Sequence, residues 1–175
     1  IMPTNVLANS EPLEIKASAS SGLPVEVQSS DNSVAYIENN KLIIVASGVC
    51  SISVKQDGNS IYNPASTITK SIRIDKVDQT IDFMLPNVAY IDSKDIDLEP
   101  VSSSKLTLSF KTSDNRIAEI ENGKLHIKAS GVCVVTARQE GNQIFNPAQE
   151  ISKMIHIFKY SQNIDYKLST QHFFV

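Results

Sequence analysis

One acidic stretch of the sequence has the residue types of a calcium site. Its four carboxylates lie close together in the chain and are Asp92, Asp95, Asp97 and Glu99. Calcium takes about 6 to 8 oxygen ligands, many of them carboxylates. Lys94 interrupts the stretch, however, and strand alternation sends Asp95, Asp97 and Glu99 to one solvent face. We favour a solvated strand edge and keep the four carboxylates as a weak candidate for calcium.

The residues that most often serve in catalysis are few and poorly spaced. The histidines are His126, His156 and His172. A general acid or base must lie within hydrogen-bond reach of the reacting group in a pocket. No spacing in the chain places a nucleophile or a carboxylate beside a histidine. We therefore expect no catalytic residues, no enzyme activity and no cofactor.

A repeat organises these scattered residues. Residues 46–65 recur as residues 129–148, and the pairs Gly48 with Gly131 and Pro64 with Pro147 show that the offset between the copies is constant. Between residues 20–76 and residues 103–159, 30 of the 57 aligned pairs are identical and no gap is needed. A constant offset over this length indicates two copies of one structural unit.

The two cysteines, Cys50 and Cys133, occupy the same position in the two copies. Equivalent positions in successive domains lie a domain apart, whereas a disulfide needs Cα atoms within about 7 Å of each other. Each cysteine shares strand parity with apolar residues. Both are therefore predicted to be free thiols that pack in the two cores.

The local signals are those of β-strands throughout the chain. Residues 13–18 alternate between apolar and polar types, which is the period of a half-buried strand. Asn122 and Gly123 lie between two strand patterns and predict a two-residue hairpin. In a later loop, Ile61 and Tyr62 are predicted to form an apolar anchor, and Tyr62 and its copy Phe145 are predicted to pack against the end of each domain. Short strands, frequent turns and the lack of a helical period predict an all-β protein made of two β-sandwiches.

Composition argues against two classes of partner. The formal net charge is −3 and no lysine or arginine cluster occurs, so neither nucleic acid nor an anionic membrane surface is expected. No apolar run approaches the ~20 residues of a membrane-spanning helix, and membrane insertion is not expected. The first residues show no signal-peptide pattern, so we expect that a leader is absent or already removed.

Two segments of the sequence resemble a known family of domains. The segments SGLPVEVQSSDNSVAYIENNKLIIVASGVCSISV and GNSIYNPA, with their second copies, resemble the bacterial immunoglobulin-like (Big) domains that occur in tandem in surface and secreted proteins. This resemblance implies a seven-stranded immunoglobulin-like sandwich, export, and a role as a spacer, stalk or adhesive module. The inward cysteine departs from the usual family pattern. The expected fold is all-β, with two tandem immunoglobulin-like β-sandwiches of about seven strands each in an elongated rod.

The same offset defines the expected domains. Residues 1–76 form the first repeat, residues 77–159 form the second repeat, and residues 160–175 resemble the first strand of a further repeat. The resemblance implies that each unit opens with a strand like residues 77–83, which precedes the second copy. The first copy lacks this strand, and residues 160–168, the tail segment, repeat it at the same offset.

Two interpretations of the tail segment remain open. In one, the chain is cut from a longer array, so that the missing strand lies upstream and the tail segment begins a third unit. In the other, the tail segment of one molecule completes the sheet of another molecule's first repeat, as in donor-strand complementation. The residues of this second interpretation are the assembly residues Ile164, Tyr166, Leu168, Phe173 and Phe174, and the acceptor residues Ile1, Met2 and Pro3.

The function predicted from these observations is structural and non-enzymatic. We expect an extracellular or cell-surface stalk, spacer or filament subunit whose partners are copies of itself or neighbouring repeats. The alternative is an adhesin module that binds a protein or glycan ligand.

Overall fold

All regular structure in the described part of the chain is β-structure. The computed structural model describes residues 3–168 of the chain, and every regular element in that range is a strand. The all-β fold class predicted from the sequence is confirmed. Ile1, Met2, Phe173 and Phe174, which the sequence assigns to the assembly joint, lie outside the described residues.

Two sheets build the first repeat. Its strands are β1 (Asn5–Leu7), β2 (Leu13–Glu14), β3 (Glu26–Ser29), β4 (Ala35–Glu38), β5 (Lys41–Ile44), β6 (Gly48–Gln56) and β7 (Ala65–Asp75). One sheet has the order β1-β7-β6-β3 and the other the order β2-β5-β4. Strand β1 runs parallel to β7, whereas the remaining pairs are antiparallel.

The second repeat forms the same two sheets and one additional strand pair. Its strands are β8 (Ile81–Asp82), β9 (Val88–Tyr90), β10 (Ile96–Asp97), β11 (Val101–Ser102), β12 (Ser109–Thr112), β13 (Ala118–Glu121), β14 (Lys124–Ile127), β15 (Gly131–Arg138) and β16 (Ile151–Phe158). The sheets have the orders β12-β15-β16-β9 and β10-β14-β13, and β8 pairs antiparallel with β11. Among the described residues of the first repeat, no strands correspond to β8 and β11.

The cores explain why the sheets face each other. Buried side chains of the first repeat come from both sheets, and they are Ala8, Ala35, Leu42, Cys50, Ile52, Ile72 and Ile74. The buried positions of the second repeat include Ala118, Leu125, Cys133, Val135, Ile155 and Ile157. Because alternate residues of each strand point inward, the two inner faces enclose one apolar layer in each repeat.

The described chain divides into two compact units whose boundary does not follow the sequence repeat. The first unit contains the first repeat and the chain up to Asp82, together with Pro100–Ser109 and Arg138–Ile151. The second unit contains Phe83–Glu99, Phe110–Ala137 and the chain from Ser152 onward. Strands β8 and β11 and one loop of the second repeat therefore belong to the first unit.

The hairpin prediction is confirmed in both repeats. Asn122 and Gly123 have φ values of 49° and 76°, and Asn39 and Asn40 have φ values of 49° and 59°. Positive φ at both central residues is the geometry of a type I′ turn, which matches the twist of the flanking strands. Asparagine tolerates this conformation where glycine is absent.

The strand predicted for residues 13–18 is shorter than expected. Strand β2 ends at Glu14, after which the Ile15 amide donates a hydrogen bond to the Asn40 carbonyl. In the second repeat, the residues that follow the same position form β11 because β8 pairs with them. A strand needs a partner for its backbone groups, and the described part of the first repeat supplies none there.

Candidate functional site

An open groove lies between the edges of the two sheets in the first repeat. Its volume is about 600 Å³. Strands β2, β5, β6 and β7 each contribute to its lining, and the apolar part includes Leu13, Ile15, Ile52, Val54 and Ile68. Pro3 and Lys70 also border it, so Pro3 is the one predicted acceptor residue that the structure describes. An uncovered apolar groove at a sheet edge is a site where another segment can bind.

At the equivalent position of the second repeat, which we call the filled groove, the apolar side chains of the opening segment are buried. Ile81 in β8 is 5% exposed and Phe83, just after β8, is 1% exposed. The Phe83 ring meets the Phe110 ring edge to face, with 5.3 Å between centroids. The Met84 amide then donates to the Leu98 carbonyl at 2.6 Å. Phe83 is thus held by its ring and by the backbone beside it.

A lysine closes the filled groove from the side of strand β16. The Lys153 ammonium donates to the carbonyl oxygen of Phe83 and lies 4.8 Å from the centre of its ring. A cation over an aromatic face is attracted by the ring quadrupole. Lys70 is the copy of Lys153 in the first repeat, and it borders the open groove.

Equivalent residues near the groove differ in exposure between the two repeats. Ile15 is half-buried in the first repeat, while Leu98, its copy, is fully buried. Ile68 is 60% exposed, whereas its copy Ile151 is half-buried. The chain that follows β8 lies beside Leu98, whose carbonyl accepts the Met84 amide, and the described part of the first repeat has no equivalent segment beside Ile15.

A buried glutamine fixes the chain that leads into β8. The Gln79 amide nitrogen donates to the Gln139 side-chain oxygen at 2.5 Å and to the Asn146 carbonyl at 2.7 Å. The Gln79 side-chain oxygen accepts hydrogen bonds from the hydroxyls of Ser102 and Ser104. Sequence reasoning missed this residue, although its copy Gln162 in the tail segment could have indicated it.

The tail segment presents its apolar residues to solvent. Ile164 is 94% exposed, Tyr166 is 76% exposed and Leu168 is also exposed. Ile164 and Tyr166 are the copies of Ile81 and Phe83. The second repeat therefore buries the two side-chain positions that the tail segment leaves open.

A loop of the second repeat packs on the first repeat inside the first unit. We call residues 141–147 the docked loop. Ile144 contacts the core cluster of the first repeat, and the Ser47 amide donates to the Gln143 carbonyl at 2.9 Å. Val77 donates its amide to the Ile144 carbonyl and accepts the Asn146 amide, both at 2.8 Å. Backbone hydrogen bonds and one apolar side chain together hold the docked loop.

The equivalent loop of the first repeat, residues 58–64, is the exposed loop. Its Ile61 is 80% exposed and its Tyr62 is 48% exposed. The prediction that Tyr62, together with Ile61, anchors this loop against the end of its own domain is wrong. In the docked loop, Ile144 and Phe145 at the same positions are half-buried, because Ile144 packs on the core cluster of the first repeat and Phe145 forms a bridge with Val77.

The acidic stretch does not form a cluster. The Asp95 carboxylate is hydrogen-bonded to His126 Nδ1 at 2.8 Å, and the Asp97 carboxylate lies 3.8 Å from the Lys124 ammonium. Asp97 also accepts the Glu99 amide. Within residues 3–168, no group of three or more histidine, cysteine, aspartate or glutamate side chains is arranged to hold a metal ion.

The cysteines lie in the two cores as free thiols. Cys50 and Cys133 are both buried. Burial raises the pKa of the Cys50 thiol, since desolvation disfavours the thiolate. The Cys133 thiol donates a weak hydrogen bond to the Val134 carbonyl and accepts one from the Ser113 hydroxyl. These contacts are those of packed side chains.

An aromatic surface covers the outer face of β9 and β16. The Tyr90 and Tyr160 rings stack with 4.6 Å between centroids, and His156 stacks on Phe158 at 6.3 Å. A hydrogen bond with Asp92 raises the pKa of Tyr160. The residues at the equivalent positions one repeat earlier in the chain are Leu7, Val77, Arg73 and Asp75. The aromatic surface therefore has no equivalent at the positions one repeat earlier.

Comparisons with known proteins give limited similarity. No protein-family model matches the chain, and no curated protein sequence matches it significantly. Among solved structures, Drosophila N-cadherin EC1-4 is 15% identical with a TM-score of 0.37, and the alignment covers 91% of this chain and 47% of that one. Human mucin-like protocadherin EC1-2 is 12% identical with a TM-score of 0.33, covering 89% of this chain and 95% of that one.

Both TM-scores are low, so neither likeness assigns a family or a function. The chain spans about half the length of the Drosophila N-cadherin structure. The tandem β-sandwich architecture stands on the sheets described above, and the bacterial immunoglobulin-like family remains a resemblance. The described chain contains no helix with the length and hydropathy to cross a bilayer.

Proposed function

We propose that this chain is a non-enzymatic structural repeat of an extracellular or cell-surface protein, and that it assembles head-to-tail. In this assembly the tail segment of one molecule enters the open groove of another molecule's first repeat. The two domains of the subunit are residues 1–76 and 77–159, and residues 160–175 contain the donated strand. The observation that carries the proposal is the contrast between the open groove and the filled groove at the same position of the repeat.

The chemistry of the tail segment supports this partner. Ile164 and Tyr166 alternate with polar residues and match the two buried side chains of the filled groove in order and spacing. Tyr166 would lie beside Lys70, as Phe83 lies beside Lys153. An added strand contributes main-chain hydrogen bonds to affinity, and its alternate side chains contribute specificity.

A glutamine of the tail segment, Gln162, supports the same alignment of the tail segment with the open groove. Gln162 is the copy of Gln79, and three of the four groups that hold Gln79 have polar copies in the first repeat. They are the Gln56 side chain, the Asn63 carbonyl and the Ser21 hydroxyl. Gln162 stands two residues before Ile164. It would therefore reach these hydrogen-bond partners only when Ile164 and Tyr166 are also aligned with the groove.

The expected affinity is modest. Burying Ile164 and Tyr166 contributes roughly 1.5–3 kcal/mol for each side chain. Association also costs about 4–15 kcal/mol in lost translational and rotational freedom, which main-chain hydrogen bonds and further contacts must offset. We expect assembly that depends strongly on protein concentration.

Light scattering on the full chain tests the proposal. The mass should rise with concentration, because each molecule carries one groove and one tail segment and a contact of this kind does not close. The double variant Ile164→Ser and Tyr166→Ser should stay monomeric. The matched control is Asn163→Ser with Asp165→Ser, which changes the alternate positions and should assemble like the unmodified chain.

A monomeric mass at every concentration would contradict head-to-tail assembly. It would favour the longer-array interpretation, in which an upstream segment of the same chain fills the groove. Equal assembly by the double variant and its control would also contradict the proposal, because the contact would then not use the apolar side chains of the tail segment.

The aromatic surface supports a second candidate function, an adhesin module that binds a glycan or protein ligand. Large exposed apolar patches mark interaction sites more often than scattered residues do, and tyrosine is enriched at interfaces. A soluble oligosaccharide panel and Tyr90→Ala test this candidate. Binding that Tyr90→Ala abolishes would support it, while the absence of binding to any member of the panel would remove the glycan ligand.

A further inference from the structure

We infer that the exposed loop of the first repeat is a second contact surface of the head-to-tail joint, and that it packs on the second repeat of another copy of this chain around Ser130 and Tyr160. This inference rests on the proposed function. It names a surface outside the open groove, and its partner is the end of the repeat from which the tail segment emerges.

The docked loop shows what such a contact looks like. Inside the first unit, Val77 precedes β8 and forms a parallel bridge with Phe145. The Val77 backbone is hydrogen-bonded to the residues on both sides of Phe145, which are Ile144 and Asn146. Gln79 follows two residues later and bonds the Asn146 carbonyl. The chain that enters the groove therefore touches the docked loop first, so strand and loop form one continuous contact.

The exposed loop is built in the same way as the docked loop. The Asn59 side-chain oxygen accepts the amides of Ile61 and Tyr62 at 2.8 and 2.9 Å. The Asn142 oxygen accepts the amides of Ile144 and Phe145 at the same two distances. Because these bonds are already present, the exposed loop would lose little conformational entropy on binding.

A glycine fixes the conformation of each loop. Gly58 and Gly141 both have φ of +74°. A Cβ atom on Gly58 would lie 2.3 Å from the Tyr62 carbonyl oxygen, and one on Gly141 would lie 2.4 Å from the Phe145 carbonyl oxygen. The backbone approach is too close for any other residue type in either loop. The exposed loop therefore presents Ile61 in the conformation that buries Ile144.

The receiving surface is also duplicated. Ser130 is the copy of Ser47 and is followed by a glycine in the same way, and Tyr160 is the copy of Val77. The constant offset of the repeat then assigns the contacts between molecules. The Ser130 amide donates to the Ser60 carbonyl, and the Tyr160 amide donates to the Ile61 carbonyl. Both contacts use main-chain groups. They therefore remain available at Tyr160, although the equivalent residue in the docked contact is Val77.

Ile61→Ser in the full chain tests the loop contact. This side chain is 80% exposed, so the substitution leaves the fold intact. It should raise the self-association Kd by about 10-fold, since burying part of one aliphatic side chain corresponds to roughly one factor of ten in affinity. The matched control is Val49→Ser, which removes an exposed aliphatic side chain from the outer face of β6 and should leave the Kd unchanged. Analytical ultracentrifugation measures both values.

Cross-linking gives an independent readout. The variant Ser60→Cys with Ser130→Cys should form a ladder of disulfide-linked oligomers on mild oxidation, whereas either single variant should form no species larger than a dimer. The native thiols do not compete because Cys50 and Cys133 are buried.

The outcomes separate this inference from the proposed function. If Ile164→Ser with Tyr166→Ser abolishes assembly but Ile61→Ser behaves like Val49→Ser and no ladder forms, strand donation stands and the loop contact is overturned. If the full chain shows no assembly at all, both are overturned. A weaker Kd for Ile61→Ser together with a ladder supports both.

Discussion

The two repeats have the same sheets and nearly the same cores, yet one groove is filled and the other is open. The apolar side chains that line the groove in the first repeat have apolar copies in the second repeat. Ile68 and Ile151 are the same residue type at the same position of the repeat, but Ile68 is 60% exposed and Ile151 is half-buried. The two sheets of the first repeat therefore form in the described residues without a strand equivalent to β8.

The largest expected difference concerns the aromatic residue of the opening strand. Phe83→Ala should cost about 3–5 kcal/mol of unfolding free energy, the usual cost of truncating a buried aromatic ring. Tyr166→Ala removes the copy of Phe83, but Tyr166 is 76% exposed, so the stability of the monomer should not change. Urea unfolding followed by NMR signals of β15 and β16 measures both. Equal losses would show that the tail segment is packed in the monomer.

A second comparison uses the apolar residues that directly follow β10 and β2. Leu98→Ala should cost about 2–5 kcal/mol because Leu98 is fully buried, and Ile15→Ala should cost clearly less because Ile15 is half-buried. The same unfolding experiment at low protein concentration measures both values. An Ile15→Ala cost as large as that of Leu98→Ala would contradict an open groove in the isolated molecule.

Loss of the buried Gln79 side chain should have an intermediate effect on the unfolding free energy. Gln79→Ala leaves the partners of a buried side chain without hydrogen bonds, which costs about 1–3 kcal/mol. Gln162→Ala, at the exposed copy, should leave monomer stability unchanged and weaken assembly. Thermal unfolding of the monomer and light scattering separate the two effects. A destabilised Gln162→Ala monomer would contradict the assigned register.

The smallest expected effect lies at His126, a position that holds isoleucine in the first repeat. The hydrogen bond with Asp95 raises the pKa of His126, and the carboxylates of Glu121 and Glu119 act in the same direction. The stabilisation is thus fully present below the ordinary histidine pKa of about 6.5 and is lost as pH rises through the raised folded value. Asp95→Asn should lower the pKa of His126 in an NMR titration, and an unchanged pKa would contradict the pair.

Local patterns predicted much of the fold. The hairpin at Asn122 and Gly123 follows from two residues that tolerate positive φ between strand patterns. The burial of Cys50 follows from its parity with neighbouring apolar residues. Both signals depend on residues close in the chain, which is why they can be derived without knowledge of the packing.

The candidate site was only partly predictable. The repeated tail segment indicated a strand and its acceptor, but Lys70, Lys153 and Gln79 had no assigned role before the structure placed them around the groove. The carboxylates from Asp92 to Glu99 suggested a calcium site by proximity in sequence, yet two of them face His126 and Lys124 instead. Cross-strand partners come from distant parts of the chain, so spacing alone does not predict them.

By itself, the sequence determined the number of copies, the constant offset, the strand pattern and the turns, because each depends on residue type and on neighbours along the chain. The tertiary structure decided which apolar residues are covered. Ile61 and Ile144 are identical residues in loops with the same hydrogen bonds, but Ile144 packs on a core cluster and Ile61 faces solvent. Burial requires a surface opposite the side chain, and only the folded arrangement shows where that surface is present.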